Sequence, residues 1–93
     1  MSDDDFKILS RLMALELLMI ERLTSEYLKT ADPAQAAAKH RETLRDVLSA
    51  ISVDGLDAAL SDLAVGEVGG AVDRIVEEAG RSATQKAGER KRP

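Results

Sequence analysis

Apolar residues recur three and four positions apart from Phe6 to Leu28, and no glycine or proline interrupts them. This spacing places the apolar side chains on one face of a helix. Ser2 precedes three consecutive aspartates. This is a helix start, because serine caps free N–H groups and carboxylates favour the positive end of the helix dipole. The pattern predicts a first helix over residues 3–31, roughly 40 Å long.

A short polar segment, "TADPAQ", separates the first helix from a second one. Asp32 followed by Pro33 and Gln35 is the pattern of an N-cap, a proline in the first turn and a capping-box partner. The apolar stripe that follows predicts a second helix over residues 33–52. Since a connection this short usually folds two helices back on each other, we expect an antiparallel helical hairpin.

The third region contains two apolar stripes of different phase, which the glycines of "GEVGGA" separate. Asp54 and Gly55 indicate a turn before it. Each glycine costs a helix interior about 1 kcal/mol relative to alanine. We therefore expect a kink or a short break between residues 64 and 70, or else one bent helix. The prediction is a third, glycine-kinked helical segment over residues 55–80.

Residues 81–93 lack apolar periodicity and are mostly polar and basic. Such a segment buries too little apolar surface to order itself, so it predicts a flexible tail. We therefore divide the chain into a single all-α domain, residues 1–80, and a basic C-terminal tail, residues 81–93.

The first helix carries a wider apolar surface than one neighbour covers. On a helical wheel its apolar residues fill an arc of roughly 180°, whereas packing against a single helix uses a narrow seam. The second helix offers a narrow stripe rich in alanine, and the third is rich in glycine. We expect the chain to dimerise through its first helix into a four-helix-type bundle. The predicted interface residues are Phe6, Leu9, Leu12, Met13, Leu17, Met19, Ile20, Leu23 and Tyr27.

Three polar residues are candidates for burial: Glu16, His40 and Arg45. Glu16 projects to the centre of the apolar arc, and the hairpin register places Arg45 opposite it. One interpretation is an ion pair that specifies register or oligomeric state. The other is a functional carboxylate in the bundle core, such as a metal ligand. His40, the single histidine, lies on the stripe of the second helix. It is either half-buried and hydrogen-bonded to a neighbour or a ligand whose partners the sequence does not offer.

Composition supports assembly. In 93 residues there is no tryptophan, one phenylalanine and one tyrosine, so the core is modest and oligomerisation would supplement it. The absence of cysteine excludes disulfides and thiol catalysis. The most apolar stretch, residues 12–20, would rise about 13 Å as a helix, too little to span a membrane core of about 30 Å. An acidic N-terminus differs from a secretory signal, so we expect a cytoplasmic protein.

The sequence contains no catalytic, cofactor-binding or metal-binding motif that its context supports. The glycines of "GEVGGA" lack the preceding strand of a nucleotide-binding loop and the lysine of a P-loop. No Glu-x-x-His pair of the kind that holds iron in helical bundles occurs, and one histidine does not make a Ser-His-Asp triad. The sequence therefore predicts a protein that is not an enzyme and binds no cofactor. It does not resemble a known family.

Charge is distributed unevenly along the chain. The net charge is −8 over residues 1–80 and +4 over residues 81–93, which gives −4 overall. An acidic body repels nucleic acid, whereas a basic tail could attract phosphates in a nonspecific, salt-dependent way. Alternatively the tail is solvated or folds onto the acidic third region. The candidate tail contacts are Arg81, Lys86, Arg90, Lys91 and Arg92.

Two functional hypotheses follow from these patterns. The first is a noncatalytic, homo-oligomeric interaction or regulatory protein, whose partner is a second copy and possibly another protein. The alternative is a small nucleic-acid-associated regulator that uses residues 81–93 as its contact.

Overall fold

The computed structural model describes residues 2–51, 55 and 57–90, and over these residues the chain forms three α-helices and no strand. Helix α1 is Asp3–Leu28, α2 is Pro33–Ser49 and α3 is Ala58–Arg90. The predicted all-α class is confirmed. Of the predicted turn before α3, Asp54 lies outside the described residues, and Gly55 has a positive φ of 85°, a conformation that favours glycine.

The first two helix starts are the predicted ones. The Ser2 hydroxyl accepts a hydrogen bond from the Asp5 amide at 3.1 Å, and the Asp32 carboxylate accepts one from the Gln35 amide at 3.1 Å. Both helices end about three residues earlier than predicted. For α1 the reason is Pro33, which holds Asp32 in extended backbone geometry, so the residues before it must already have left the helix.

Helix α3 differs most from its prediction. It is one continuous helix through the three glycines of "GEVGGA", so the expected break is wrong. It also continues beyond residue 80 to Arg90, which corrects the expectation of a flexible tail for residues 81–90. The continuation has a structural reason, because Ala83 is fully buried against the core and the Thr84 hydroxyl donates to the Gly80 carbonyl at 2.8 Å.

Helix α3 is the central element, since α1 and α2 each pack mainly along it and make few contacts with each other. The buried apolar cluster consists of Tyr27, Ala37, Val76, Ala79 and Ala83. Alanine makes up most of this cluster, so the core lets helices approach closely but buries little apolar area. Larger residues at the margin pack against it only in part: Ile20, Leu23, Leu28, Leu44 and Val72.

The three helices form an extended, flat molecule. Its Cα radius of gyration is 16.2 Å, whereas a compact domain of this length has about 12 Å. The extents along the principal axes are 55, 35 and 13 Å. A shape this thin leaves large helix faces without a neighbour from the same chain.

Candidate functional site

The largest exposed apolar surface lies on the N-terminal half of α1. Between residues 6 and 19, nine large apolar side chains are 45–66% exposed. The core of the chain packs against the other half of α1, around Tyr27, so this half has no comparable cover. We call these nine residues the α1 apolar surface: Phe6, Ile8, Leu9, Leu12, Met13, Leu15, Leu17, Leu18 and Met19.

The structure divides the predicted interface into two groups. Six of its residues belong to the α1 apolar surface: Phe6, Leu9, Leu12, Met13, Leu17 and Met19. The other three pack on the chain's own core, and Tyr27 is only 5% exposed there. Helices α3 and α2 of its own chain enclose Tyr27, and its contact with a second copy stays a prediction.

Three exposed residues of this surface were missing from the predicted interface: Ile8, Leu15 and Leu18. The helical wheel placed Leu15 and Leu18 within or beside the polar face of the helix. The signal that could have found Leu15 is the spacing of apolar residues 8, 12, 15 and 19, which is four, three and four positions. That spacing is the repeat of a coiled-coil seam.

Glu16 interrupts the α1 apolar surface and has a different partner from the predicted one. Its carboxylate lies 3.5 Å from the Arg74 guanidinium of α3, and both side chains are more than a third exposed. Arg45 is also exposed and instead lies 3.4 Å from Asp73. The predicted Glu16–Arg45 pair is wrong because α3, and not α2, borders α1 at this level. An exposed pair of this kind contributes at most about 1 kcal/mol.

His40 joins α2 to α1 near the turn between them. Its Nδ1 lies 2.6 Å from the Tyr27 hydroxyl, and the two rings meet edge to face with centroids 5.8 Å apart. The Tyr27 hydroxyl donates this hydrogen bond to Nδ1 in the histidine tautomer that carries its hydrogen on Nε2. Burial raises the pKa of Tyr27 above its ordinary value. His40 is half-buried and hydrogen-bonded to a neighbour, which is the first of the two interpretations drawn from the sequence.

Helices α2 and α3 are linked by a charged cluster on Asp73. Arg41 donates two hydrogen bonds to the Asp73 carboxylate, at 3.0 and 3.3 Å, and Arg45 donates a third at 3.4 Å. The hydrogen bonds from Arg41, above all, hold the pKa of Asp73 below its usual range, and those from Arg45 act in the same direction. The cluster fixes the register of α2 along α3.

This cluster predicts a dependence of stability on pH. Asp73 has a lower pKa folded than unfolded, so its contribution is present above the unfolded pKa of about 4 and is lost as the pH falls through the folded pKa. We expect Asp73→Asn to destabilise the protein at pH 7 and to have a smaller effect at pH 2.5, below the unfolded pKa of Asp73. Urea unfolding at both pH values measures this. Asp62→Asn, at an exposed position of α3, is the control, and an equal effect of both substitutions at pH 7 would contradict the prediction.

The remaining surface features are less distinctive. An open groove of about 530 Å³ runs between α2 and α3, lined mostly by small residues and by Arg41, Glu77 and Arg81. Arg81 forms ion pairs with Glu77 at 3.8 Å and Glu78 at 2.9 Å, so its charge is engaged within α3. Lys86 and Arg90 are exposed, and Lys91 and Arg92 lie outside the described residues.

Within the described part of the chain, no group of three His, Cys, Asp or Glu side chains is arranged to hold a metal ion. None of the helices described combines the length and apolar character needed to cross a membrane. No family model, curated protein or solved structure matches this chain. Function is therefore inferred from the chain's own surface.

Proposed function

We propose that this protein is a noncatalytic helical interaction protein that acts as a homo-oligomer, with copies meeting on the α1 apolar surface. The observation that carries the proposal is the exposure of nine large apolar side chains on half of one helix. Single exposed apolar residues are ordinary, whereas nine large ones within residues 6–19 of one helix are typical of an interaction site.

The accessible surface area supports a partner of substantial size. One chain exposes 7228 Å², while a compact monomer of 10.0 kDa exposes about 5,200 Å². The excess is about 2,000 Å² per chain, so two chains covering it would bury about 4,000 Å², within the range of permanent dimers. The flat shape of the chain accounts for this excess, and a second copy could cover part of it.

The composition of the core supports the same conclusion. The buried cluster contains three alanines, one valine and one tyrosine. Fully burying a leucine, isoleucine or methionine is worth about 1.5–3 kcal/mol, and most of these residues in α1 are not buried by the chain itself. A second copy would supply the missing burial, and the monomer would then owe much of its stability to assembly.

The assembly that we favour has a four-helix-type core built from α1 and a second helix of each copy. The short connection over residues 29–32 and the Tyr27–His40 hydrogen bond favour an α1–α2 hairpin near the turn. We expect the assembly to act in the cytoplasm. Nucleic-acid association through residues 81–93 stays an alternative prediction. No observation on the described residues favours it, and Arg81 is already paired with Glu77 and Glu78.

The proposal predicts a discrete oligomer of the full chain. In sedimentation velocity and light scattering between 1 and 50 µM, we expect a species of at least twice the 10.0 kDa chain mass, which dissociates reversibly on dilution. Salt should weaken it little, because apolar burial drives it. A folded monomer at every concentration would contradict the proposal, and so would an unlimited size distribution, which indicates nonspecific aggregation.

A further inference from the structure

We infer that the contact between copies is one stripe of the α1 apolar surface, which we call the outer seam: Ile8, Leu12, Leu15 and Met19. This inference rests on the proposed homo-oligomer and assigns its interface. The four side chains follow one another at spacings of four, three and four residues, the repeat by which two helices pack as a coiled coil. All four are between 50% and 62% exposed in the single chain.

A second stripe on α1, the inner seam, has the same type of spacing but packs in part against the core of its own chain. It consists of Phe6, Leu9, Met13, Glu16, Ile20, Leu23 and Tyr27. Its last three residues pack on the chain's own core. Arg74 of α3 reaches Glu16 at 3.5 Å, so α3 borders the inner seam from that level onward. A helix from another copy would meet α3 after about two turns.

On the outer seam, neither α3 nor a charged residue at a layer position interrupts residues 8–19. Its four layers are apolar, and the same spacing continued in either direction reaches Asp5 and Arg22, so the contact is confined to residues 8–19. The inner seam has Glu16 at a layer position within its length. The two seams lie roughly 100° apart around α1. Helices of four-helix bundles contact two neighbours on adjacent faces in this way. In this arrangement α3 occupies the inner side of α1 and a second copy of α1 occupies the outer side.

The charges beside the outer seam fit a second copy in parallel orientation. Arg11 and Glu16 flank the seam on opposite sides and are five residues apart. In a parallel two-stranded coiled coil, residues with this spacing face each other across the interface. The two-fold axis would then bring each Arg11 next to Glu16 of the other copy, twice per dimer. Glu16, which lies 3.5 Å from Arg74 of its own chain, would be shared between the two arginines.

Leu15 and Leu17 provide a matched test of the assignment. They are the same residue type, 62% and 66% exposed and two positions apart, but only Leu15 lies on the outer seam. We expect Leu15→Glu to weaken dimerisation about 100-fold or more, because it places a carboxylate at a packed layer in both copies. Leu17→Glu should leave the dissociation constant within a few-fold of the parent protein. Sedimentation measures both, and circular dichroism reports whether each variant is helical.

If Leu15→Glu unfolds when it loses the dimer, crosslinking provides a second measurement of the interface. The chain has no cysteine, so Leu15→Cys and Leu17→Cys each introduce a single thiol. Under mild oxidation Leu15→Cys should form a covalent dimer quickly and Leu17→Cys slowly. Preferential crosslinking or dissociation at Leu17 would overturn the outer seam while the homo-oligomer stands. A parent protein that is monomeric would remove the proposed function itself.

Discussion

Tyr27→Ala is expected to lower the free energy of unfolding by about 3–5 kcal/mol, the usual cost of truncating a buried aromatic residue. Tyr27 is 5% exposed and is the largest side chain of the buried cluster, whose other members are a valine and three alanines. These small neighbours cannot collapse far enough to fill the space that the ring leaves. Since small domains have only about 5–15 kcal/mol of stability, this loss is a large fraction of the total.

Two controls separate the parts played by the ring and by the hydroxyl. Tyr27→Phe keeps the ring and removes the hydrogen bond to His40, so we expect a loss of about 1 kcal/mol. Phe6→Ala removes the other aromatic ring, which is 63% exposed, and should change the stability by no more than about 0.5 kcal/mol. Urea unfolding followed by circular dichroism, at one fixed protein concentration, measures all three. An equal loss for Tyr27→Ala and Phe6→Ala would refute the assigned core.

Much of the secondary structure could be predicted because its determinants are local. Ser2 and Asp32 cap their helices through hydrogen bonds to residues three positions on, and such short-range contacts are visible in the sequence. The apolar spacing that defines α1 is equally local. The ends of α1 and α2 were predicted less accurately, because the last turn of a helix competes with the geometry of the turn that follows it.

Helix α3 was mispredicted at its glycines and at its C-terminal end, and packing explains the second of these. The glycines of "GEVGGA" lower the local helix propensity, yet α3 runs through them, and of the three only Gly69 lies near another helix, its Cβ position 3.6 Å from the Leu48 side chain. Residues 81–90 show no apolar periodicity, yet Ala83 is fully buried since α1 and α2 lie close enough for an alanine to fill the space. An alanine stripe is a weak signal in a sequence because it also occurs on exposed helices.

The sequence predicted that α1 would expose apolar residues, but it did not predict which of them. The width of the apolar arc on α1 indicated that one chain would leave part of it uncovered, and residues 6–19 are indeed exposed. Which part is uncovered depends on where α3 lies along α1. The prediction assumed that α2 would face α1 along its length, which led to Arg45 as the partner of Glu16 in place of Arg74. The order in which helices pack is set by side-chain volumes across the whole domain, so local periodicity does not reveal it.

Gly80→Ala is expected to destabilise the protein by up to about 2 kcal/mol, although alanine is the better helix former. A Cβ at Gly80 would lie 2.7 Å from the Ala37 Cβ, so α2 and α3 would have to separate. Separation would loosen Val76 and Ala79, which share that contact line. An overpacking cost of about 1–3 kcal/mol, less a gain of about 1 kcal/mol in helix propensity, leaves the net loss of up to about 2 kcal/mol.

Two further variants isolate the contact from the general effect of glycine in a helix. Gly66 lies in the same helix with open space around its Cβ position, so Gly66→Ala should stabilise the protein by about 0.5–1 kcal/mol. Ala37→Gly should partly rescue Gly80→Ala, because it removes the opposing methyl group. The double-mutant cycle then gives a favourable coupling energy of about 1 kcal/mol or more in urea unfolding. The close contact between α2 and α3 is the reason why Gly80 should respond differently from Gly66. If Gly80→Ala stabilises the chain as much as Gly66→Ala does, the two helices do not approach each other at Gly80.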